Sequence, residues 1–354
     1  MAKKNKNKKV FVGLSGGVDS SVAAALLKKQ GYDVVGVFMR FWKDGRGAQN
    51  ACCSVESEAK ALAVAKKLGI PFYIFNFEAE FKKAVVDYFL RELGAGRTPN
   101  PCVVCNPQIK FGLFLERAIK MGADYVAMGH YASVKNAQEK AKLFAGKDKM
   151  KDQSYFLCGL SQKQLNRVIF PLGGYVKERV YELAKKMRLP HQSHQSFDIC
   201  FAGDYQAFLK KHLKLKPGKI VDLAGQEAGE HLGLPFYTIG QRASIGGPGP
   251  FWVVKKDLKK NILFVSNNEK DLYQKEMLLE KINWLRGQAP KLPLRCKIKI
   301  RYSVKSEAGT IRANGSIKKM VVLFDKPQRA ITHGQSAVFY GKNGEVLGGG
   351  IIKN

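Results

Sequence analysis

The strongest constraint on this chain is the stretch Gly13-Leu14-Ser15-Gly16-Gly17-Val18-Asp19-Ser20. It follows the apolar run 10–12, which has strand character. It opens an Ala- and Leu-rich run, 21–30, with the character of a helix that Gly31 stops. A strand, a tight Gly/Ser turn and a helix N-terminus form an anion site, because the N–H groups of the turn and the helix dipole face the same point. Gly16 and Gly17 let the backbone approach a ligand closely, and Ser15, Ser20 and Ser21 add hydroxyl donors. Asp19 needs a separate reason to be there. A carboxylate beside a phosphate nest is costly unless it holds Mg²⁺ or orients the turn.

The turn has no Gly-Lys-Ser/Thr, so it is not the loop that grips a γ-phosphate through lysine. Ser-Gly-Gly-x-Asp-Ser instead resembles the pyrophosphate loop (PP-loop) of the ATP pyrophosphatases, which split ATP into AMP and pyrophosphate. Around it, strand character at 33–39, 72–75 and 124–128 alternates with helical character at 55–68, 80–93 and 109–121. This predicts an α/β fold, a parallel sheet with helices on both faces. Ligands of such sheets lie outside the carboxyl ends of the strands, where the turn, Met39 and Gly129-His130 fall. Residues 142–158 read as irregular or hairpin structure, 177–187 as a helix and 193–203 as a polar loop holding Cys200. From about 209 the helical pattern fades into Gly-rich, short β-like runs. In Leu294-Arg295-Cys296-Lys297-Ile298-Lys299-Ile300-Arg301-Tyr302, apolar residues alternate with Arg295, Lys297, Lys299 and Arg301, which predicts a strand with a basic outer face. Further strands at 321–324, 336–340 and 346–352 would complete a small barrel. The expected division is a catalytic domain, 1–208 with a basic tail at 1–9, a small central domain, 209–274, and a C-terminal β-barrel, 275–354.

Lys plus Arg number 60 against 29 Asp plus Glu, a net charge of +31, so a polyanion such as RNA is the expected partner. No apolar run reaches membrane-spanning length, and the Lys/Asn-rich start has no apolar core behind it. The seven cysteines are unevenly spaced and do not look like a disulfide scaffold. A cytoplasmic, reducing location without membrane contact is expected. In that setting the Cys102-Val103-Val104-Cys105 of the stretch 97–111 can be a redox pair, half a zinc site or part of an iron–sulfur site. Cys105 is expected just before a helix N-terminus, where a thiolate is stabilised. Cys200 reads by default as a buried structural cysteine.

Together these stretches resemble one family, the tRNA-specific 2-thiouridylases, which use ATP to activate the wobble uridine and replace its 2-oxygen with sulfur. Further matches are Cys52-Cys53-Ser54, Met128-Gly129-His130-Tyr131, Lys151-Asp152-Gln153-Ser154-Tyr155-Phe156-Leu157, Asp198-Ile199-Cys200-Phe201, Tyr237-Thr238-Ile239-Gly240-Gln241-Arg242 and Gly334-Gln335-Ser336-Ala337-Val338-Phe339-Tyr340. The resemblance implies an ATP-pyrophosphatase domain, a small central domain and a C-terminal barrel. It implies ATP binding, with Mg²⁺, by Gly13, Leu14, Ser15, Gly16, Gly17, Val18, Asp19, Ser20, Met39 and Gly129. Asn100, Pro101 and Cys102 would face the target base. His130, Lys151, Asp152, Gln153, Arg301, Tyr302 and Gln335 would touch tRNA. Cys200 would carry a persulfide loaded by a sulfur donor, a cysteine desulfurase or sulfur-relay protein, and Cys105 would resolve it. Many members of the family have Asp where this chain has Cys102, so a carboxylate proposed to assist at the base is missing. Two routes are then open: a Cys105–Cys200 disulfide relay, or a [4Fe–4S] cluster on Cys102, Cys105 and Cys200 with one iron open for sulfur. Two other readings remain at this stage. One is a pyrophosphatase-type synthetase or ligase that attacks with nitrogen and needs no paired cysteines. The other is a non-catalytic RNA-binding protein.

Overall fold

The computed structural model describes residues 7–45, 54–137, 140–190, 199–246, 249–316 and 319–353. Cys52, Cys53, His194 and Asp198, with residues 1–6 of the basic tail, lie outside them. The first sheet is wholly parallel, with strands β1 (Lys9–Gly13), β2 (Asp33–Arg40), β3 (Phe72–Asn76), β4 (Tyr125–Ala127) and, after the hairpin described below, β7 (Val168–Ile169). Its order is β3-β2-β1-β4-β7, so the strand that feeds the anion turn is central. Sequence pattern missed β7, which at two residues carries no readable period. Helix α1 (Val18–Lys29) packs through Val22, Ala23 and Leu27, all fully buried. Helix α2 (Val55–Leu68) is capped as its sequence requires: the Ser54 side chain accepts from the Ser57 N–H, and Gly69 ends it at φ 57°.

The third helical run continues from α3 (Glu78–Phe81) through a π segment, Lys82–Val86, into α4 (Asp87–Gly94). The fourth departs from expectation. It begins not near 109 but at α5 (Pro101–Cys105), and it continues through a π segment, Asn106–Leu113, into α6 (Phe114–Lys120). Pro101 occupies the first turn, where its missing N–H costs nothing. The Asn100 side chain caps that turn by accepting from the Cys102 N–H at 3.1 Å. Cys102 and Cys105 therefore lie inside a helix rather than in front of one.

A hairpin, β5 (Ala132–Ala137) and β6 (Lys140–Ala145), leaves the parallel sheet altogether. Helices α7 (Gln162–Leu165), α8 (Lys177–Lys186) and α9 (Tyr205–His212) complete this part of the chain. A second sheet follows, with β8 (Gly218–Val221), β9 (Glu227–His231), β10 (Arg242–Ala243), β11 (Phe251–Asp257) and β12 (Ile262–Ser266) in the order β10-β11-β12-β8-β9. The last is built from β13 (Tyr273–Trp284), β14 (Leu294–Lys299), β15 (Glu307–Ser316), β16 (Lys319–Arg329), β17 (Ser336–Tyr340) and β18 (Glu345–Lys353). Strand β13 pairs with both β16 and β18, which closes these strands into a barrel. Strand β6 adds to β18 from outside, with Glu345 opposite Phe144 and Val346 opposite Leu143. The expected basic strand stops at Lys299. Arg295 and Lys297 are exposed as predicted, but Arg301 turns inward. Its Nη2 donates to the Ile239 carbonyl at 2.7 Å and to Thr332 Oγ1, so it braces the central sheet against the barrel. Among the described residues no helix is long and apolar enough to cross a membrane.

Candidate active site

The anion turn is preformed by its own hydroxyls. Ser20 Oγ donates to the Gly17 carbonyl at 3.0 Å and accepts from the Ser15 N–H at 3.2 Å, while Ser21 Oγ donates to the same carbonyl at 2.9 Å. Gly16 has φ +77°, and a Cβ there would lie 2.6 Å from the Ser57 carbonyl oxygen of α2. A Cβ on Gly13 would touch Met39 Cε at 3.1 Å and Met128 Cε at 3.2 Å, so the ends of β1, β2 and β4 meet at this point. Gly129 packs against the first turn of α1, where a Cβ would lie 2.8 Å from the Asp19 carbonyl carbon. The structure thus brings the sequence-predicted residues Gly13 to Ser20, Met39 and Gly129 together.

Asp19 has the orienting role. Both of its carboxylate oxygens accept from Lys177 Nζ at 2.7 Å, and Oδ1 also accepts from Tyr131 Oη at 2.8 Å. Burial and the Asp19 carboxylate hold the Tyr131 phenol far above its ordinary pKa, so it stays a donor. Any Mg²⁺ here fits as part of the ATP substrate, carried on its phosphates. Lys177 escaped the sequence reading, since a lysine at the start of a surface-like helix carries no signal of its own.

Cys105 is 6 % exposed, and burial pushes its thiol up to about 12. The Lys110 ammonium pulls it down, whereas Cys200 and Cys102 push it further up, so each of those two thiols lies within electrostatic reach of Cys105. Cys102 and Cys200 are half-buried. Phe201 anchors the Cys200 segment, its ring 5.5 Å from that of Phe89 and 5.6 Å from that of Phe208. Cys105 shares one apolar cluster with Met39 and Met128, the residues that cover the anion turn. The iron–sulfur expectation finds no support in this arrangement. Among the described residues no group of three or more His, Cys, Asp or Glu side chains is placed to hold a metal ion, and the three thiols are all described. Burial thus keeps the Cys105 thiol protonated at pH 8. Iodoacetamide at pH 8 is therefore expected to modify Cys102 and Cys200 well before Cys105, as read by peptide mass spectrometry. Labelling of Cys105 at the rate of an unstructured cysteine peptide would contradict this burial.

The residues expected at the RNA surface divide into two kinds. Lys151 is exposed. Asp152 and Gln153 shape their own loop: Asp152 Oδ1 accepts from the Gly146 and Ser154 N–H groups at 2.9 and 3.1 Å, and Gln153 Oε1 accepts from the Tyr131 N–H at 3.1 Å. His130 is buried between Phe111 and Phe170, with ring centroids at 5.7 and 5.8 Å, and burial holds it neutral. Among the described residues its Nδ1 finds no partner. Tyr302 packs on Phe156 at 4.5 Å with Lys299 Nζ 5.2 Å over its ring, whereas Tyr155 is core and donates to the Ser336 carbonyl at 2.7 Å. Gln335 Nε2 donates to the Thr98 carbonyl at 3.0 Å and so holds the approach to Asn100 and Pro101.

An anion turn without a lysine of its own, at the carboxyl edge of an all-parallel sheet, places the chain among the nucleotide-dependent α/β enzymes of the ATP-pyrophosphatase type, here with two β domains appended. Three family models divide it further: residues 8–204 match a tRNA methyl transferase HUP domain, 206–267 a tRNA methyl transferase PRC-barrel domain and 274–352 an aminomethyltransferase beta-barrel domain. The tRNA-specific 2-thiouridylase MnmA of Halalkalibacterium halodurans is 46% identical over 362 residues, which cover 99% of this chain and 96% of that protein. Its namesake in Clostridioides difficile is 44% identical over 360 residues, 98% of each chain. A 4-thiouridine synthetase–RNA complex with bound ATP aligns at 19% identity over 58% of this chain and 49% of that one, with a TM-score of 0.35, too distant to add to the assignment. Although the domain models carry methyl-transferase descriptions, the full-length relatives are thiouridylases, and this chain belongs to the tRNA-specific 2-thiouridylase family.

Proposed function

We propose that the protein is an ATP-dependent tRNA-uridine 2-sulfurtransferase acting on the wobble uridine. The observation that carries this reading is that Cys105 belongs to the apolar cluster that reaches the anion turn through Met39 and Met128, with Cys200 packed against that cluster and Cys102 within electrostatic reach of Cys105. ATP lies with its phosphates on Gly13 to Ser20 and its nucleoside near Met39 and Gly129. The uracil 2-oxygen attacks the α-phosphorus and pyrophosphate leaves, which turns a poor leaving oxygen into AMP. Base flipping is required, because the 2-oxygen cannot reach the crevice from within a stacked anticodon loop. An external donor protein leaves a sulfane sulfur on Cys200. The terminal sulfur attacks C2 and the Cys105 sulfur attacks Cys200 Sγ, the persulfide and thiol protons passing to uracil N3 and to the departing AMP oxygen. The S–S bond breaks towards the transferred sulfur, AMP departs, and a Cys105–Cys200 disulfide remains for a cellular dithiol to reduce. Asn100, Pro101 and Cys102 border the base in this scheme, and Lys151 to Gln153, His130, Tyr302 and Gln335 border the RNA.

Mass spectrometry of tRNA nucleosides tests the reading after incubation with ATP and a sulfur source. It predicts 2-thiouridine and one AMP per thiolated base, and their absence with ATP and a sulfane-sulfur donor that loads Cys200 defeats it. For RNA affinity, Lys297 on the open face of β14 replaces Arg301 as the residue to probe. Lys297→Ala is expected to lower the slope of log K against log salt by about one. Arg301→Ala is expected to lower the melting temperature instead, since it removes the brace to Ile239 and Thr332. An unchanged slope for Lys297→Ala would make that face a solvated surface only.

A further inference from the structure

The nucleotide turn and the loop 148–153 converge on one carboxylate. The two donors that hold Asp19, Lys177 and Tyr131, are each tied by their backbone to that loop. The Lys177 N–H donates to Asp148 Oδ2 at 2.9 Å, and Asp148 Oδ1 accepts from the N–H groups of Met150 and Lys151 at 3.0 and 3.1 Å. The Tyr131 N–H donates to Gln153 Oε1 at 3.1 Å, and its carbonyl accepts from the Gln153 N–H at 2.9 Å. The Lys177 ammonium also lies 5.8 Å over the Tyr131 ring and 5.0 Å over that of Tyr181. The inner side of the loop is therefore fixed to both donors, while its tip is open to water, with Met150 86% exposed. Asp19 belongs to the first turn of α1, whose N–H groups serve the anion site. Gly129 presses on the same turn from the other side, so Asp19 cannot shift without moving it.

Resting on the reading of 148–153 as an RNA contact, we propose that Lys177 is a positioning residue that couples this loop to the nucleotide turn. RNA that grips the tip of the loop reinforces the contacts of Lys177 and Tyr131 with Asp19 that the protein alone already makes, and so holds the first turn of α1 set for the phosphates. Lys177 also cancels the carboxylate charge that would otherwise repel them. ATP thus binds more tightly to the RNA-loaded protein than to the protein alone, and by linkage ATP tightens RNA binding by the same factor.

Calorimetric titration with α,β-methylene-ATP, which cannot release pyrophosphate, reads this directly on the full chain with and without a saturating anticodon stem-loop. The stem-loop is expected to tighten the analogue about tenfold in the unmodified protein. Lys177→Met is expected to weaken the analogue several-fold in the absence of RNA and to bring the coupling factor to about one. Lys177→Arg restores part of both. Tyr131→Phe keeps the buried ring, loses only the hydroxyl, and is expected to reduce the factor; it decides the question alone if Lys177→Met does not fold. A factor of one in the unmodified protein, or a full factor in Lys177→Met, overturns the proposal. A protein that thiolates tRNA without such coupling loses this inference alone, whereas one that binds the stem-loop but thiolates nothing with ATP and a sulfane-sulfur donor loses the functional reading instead.

Discussion

Cys105→Ser and Cys200→Ser are each expected to lower 2-thiouridine formation by roughly a thousandfold or more, because a serine hydroxyl neither carries a sulfane sulfur nor attacks one at neutral pH. The two steps of the reaction separate in these variants. Adenylation uses no thiol, so release of pyrophosphate in the presence of tRNA should survive while nucleoside analysis shows no thiolated base. Cys200→Ser should cost little stability, whereas Cys105→Ser places a hydroxyl in an apolar cluster and should cost about 1–3 kcal/mol. Cys102→Ser is expected to stay within about threefold of the unmodified protein, because in the disulfide relay Cys102 only borders the base. Thiolation above a tenth of normal in either of the first two variants would remove the relay. Inactivation by Cys102→Ser would return a three-thiol mechanism to consideration.

Gly16→Val should abolish ATP use as completely, and for a different reason. Gly16 sits at φ +77°, which a β-branched residue resists, and a Cβ there would lie 2.6 Å from the Ser57 carbonyl oxygen. The turn must move away from α2, and the N–H groups that face the phosphates move with it. A strained and overpacked site of this kind costs about 1–3 kcal/mol, so a drop in melting temperature should accompany the loss of pyrophosphate release. Asp19→Ala is the milder comparison, as it leaves the backbone free of strain and releases Lys177 from its partner. Normal pyrophosphate release by Gly16→Val would show that nucleotide binds elsewhere.

The anion turn and the sheet around it were legible in the sequence because each rests on local rules. Gly and Ser fall where a strand meets a helix, and Ser54 and Gly69 bracket α2 as caps. The cysteine helix was misread because its prolines suggest a loop, although Pro101 stands at the one helical position that tolerates it and the π segment accommodates Pro107. Arg301 continued the alternation of its strand on paper. Its inward turn depends on the Ile239 carbonyl, some sixty residues away, and no local pattern reports such a partner. Lys177 illustrates the same limit: its contact with Asp19 spans 158 positions in the chain.

The order in which the chain is made bears on the hairpin β5–β6. Strand β6 finds its outer neighbour only in β18, and β18 also closes the barrel against β13. The approach to the cysteine helix waits as well, since the Thr98 N–H donates to the His333 carbonyl at 2.9 Å and the Thr98 carbonyl accepts from Gln335. A ribosome that has finished the parallel sheet has therefore not finished the catalytic crevice. Until the stretch from His333 to β18 emerges, β6 presents an unpaired edge and the 97–101 loop lacks its anchor. A polypeptide lacking β18 would keep a nucleotide fold and lose the device that aims it, so competence for chemistry waits for β18.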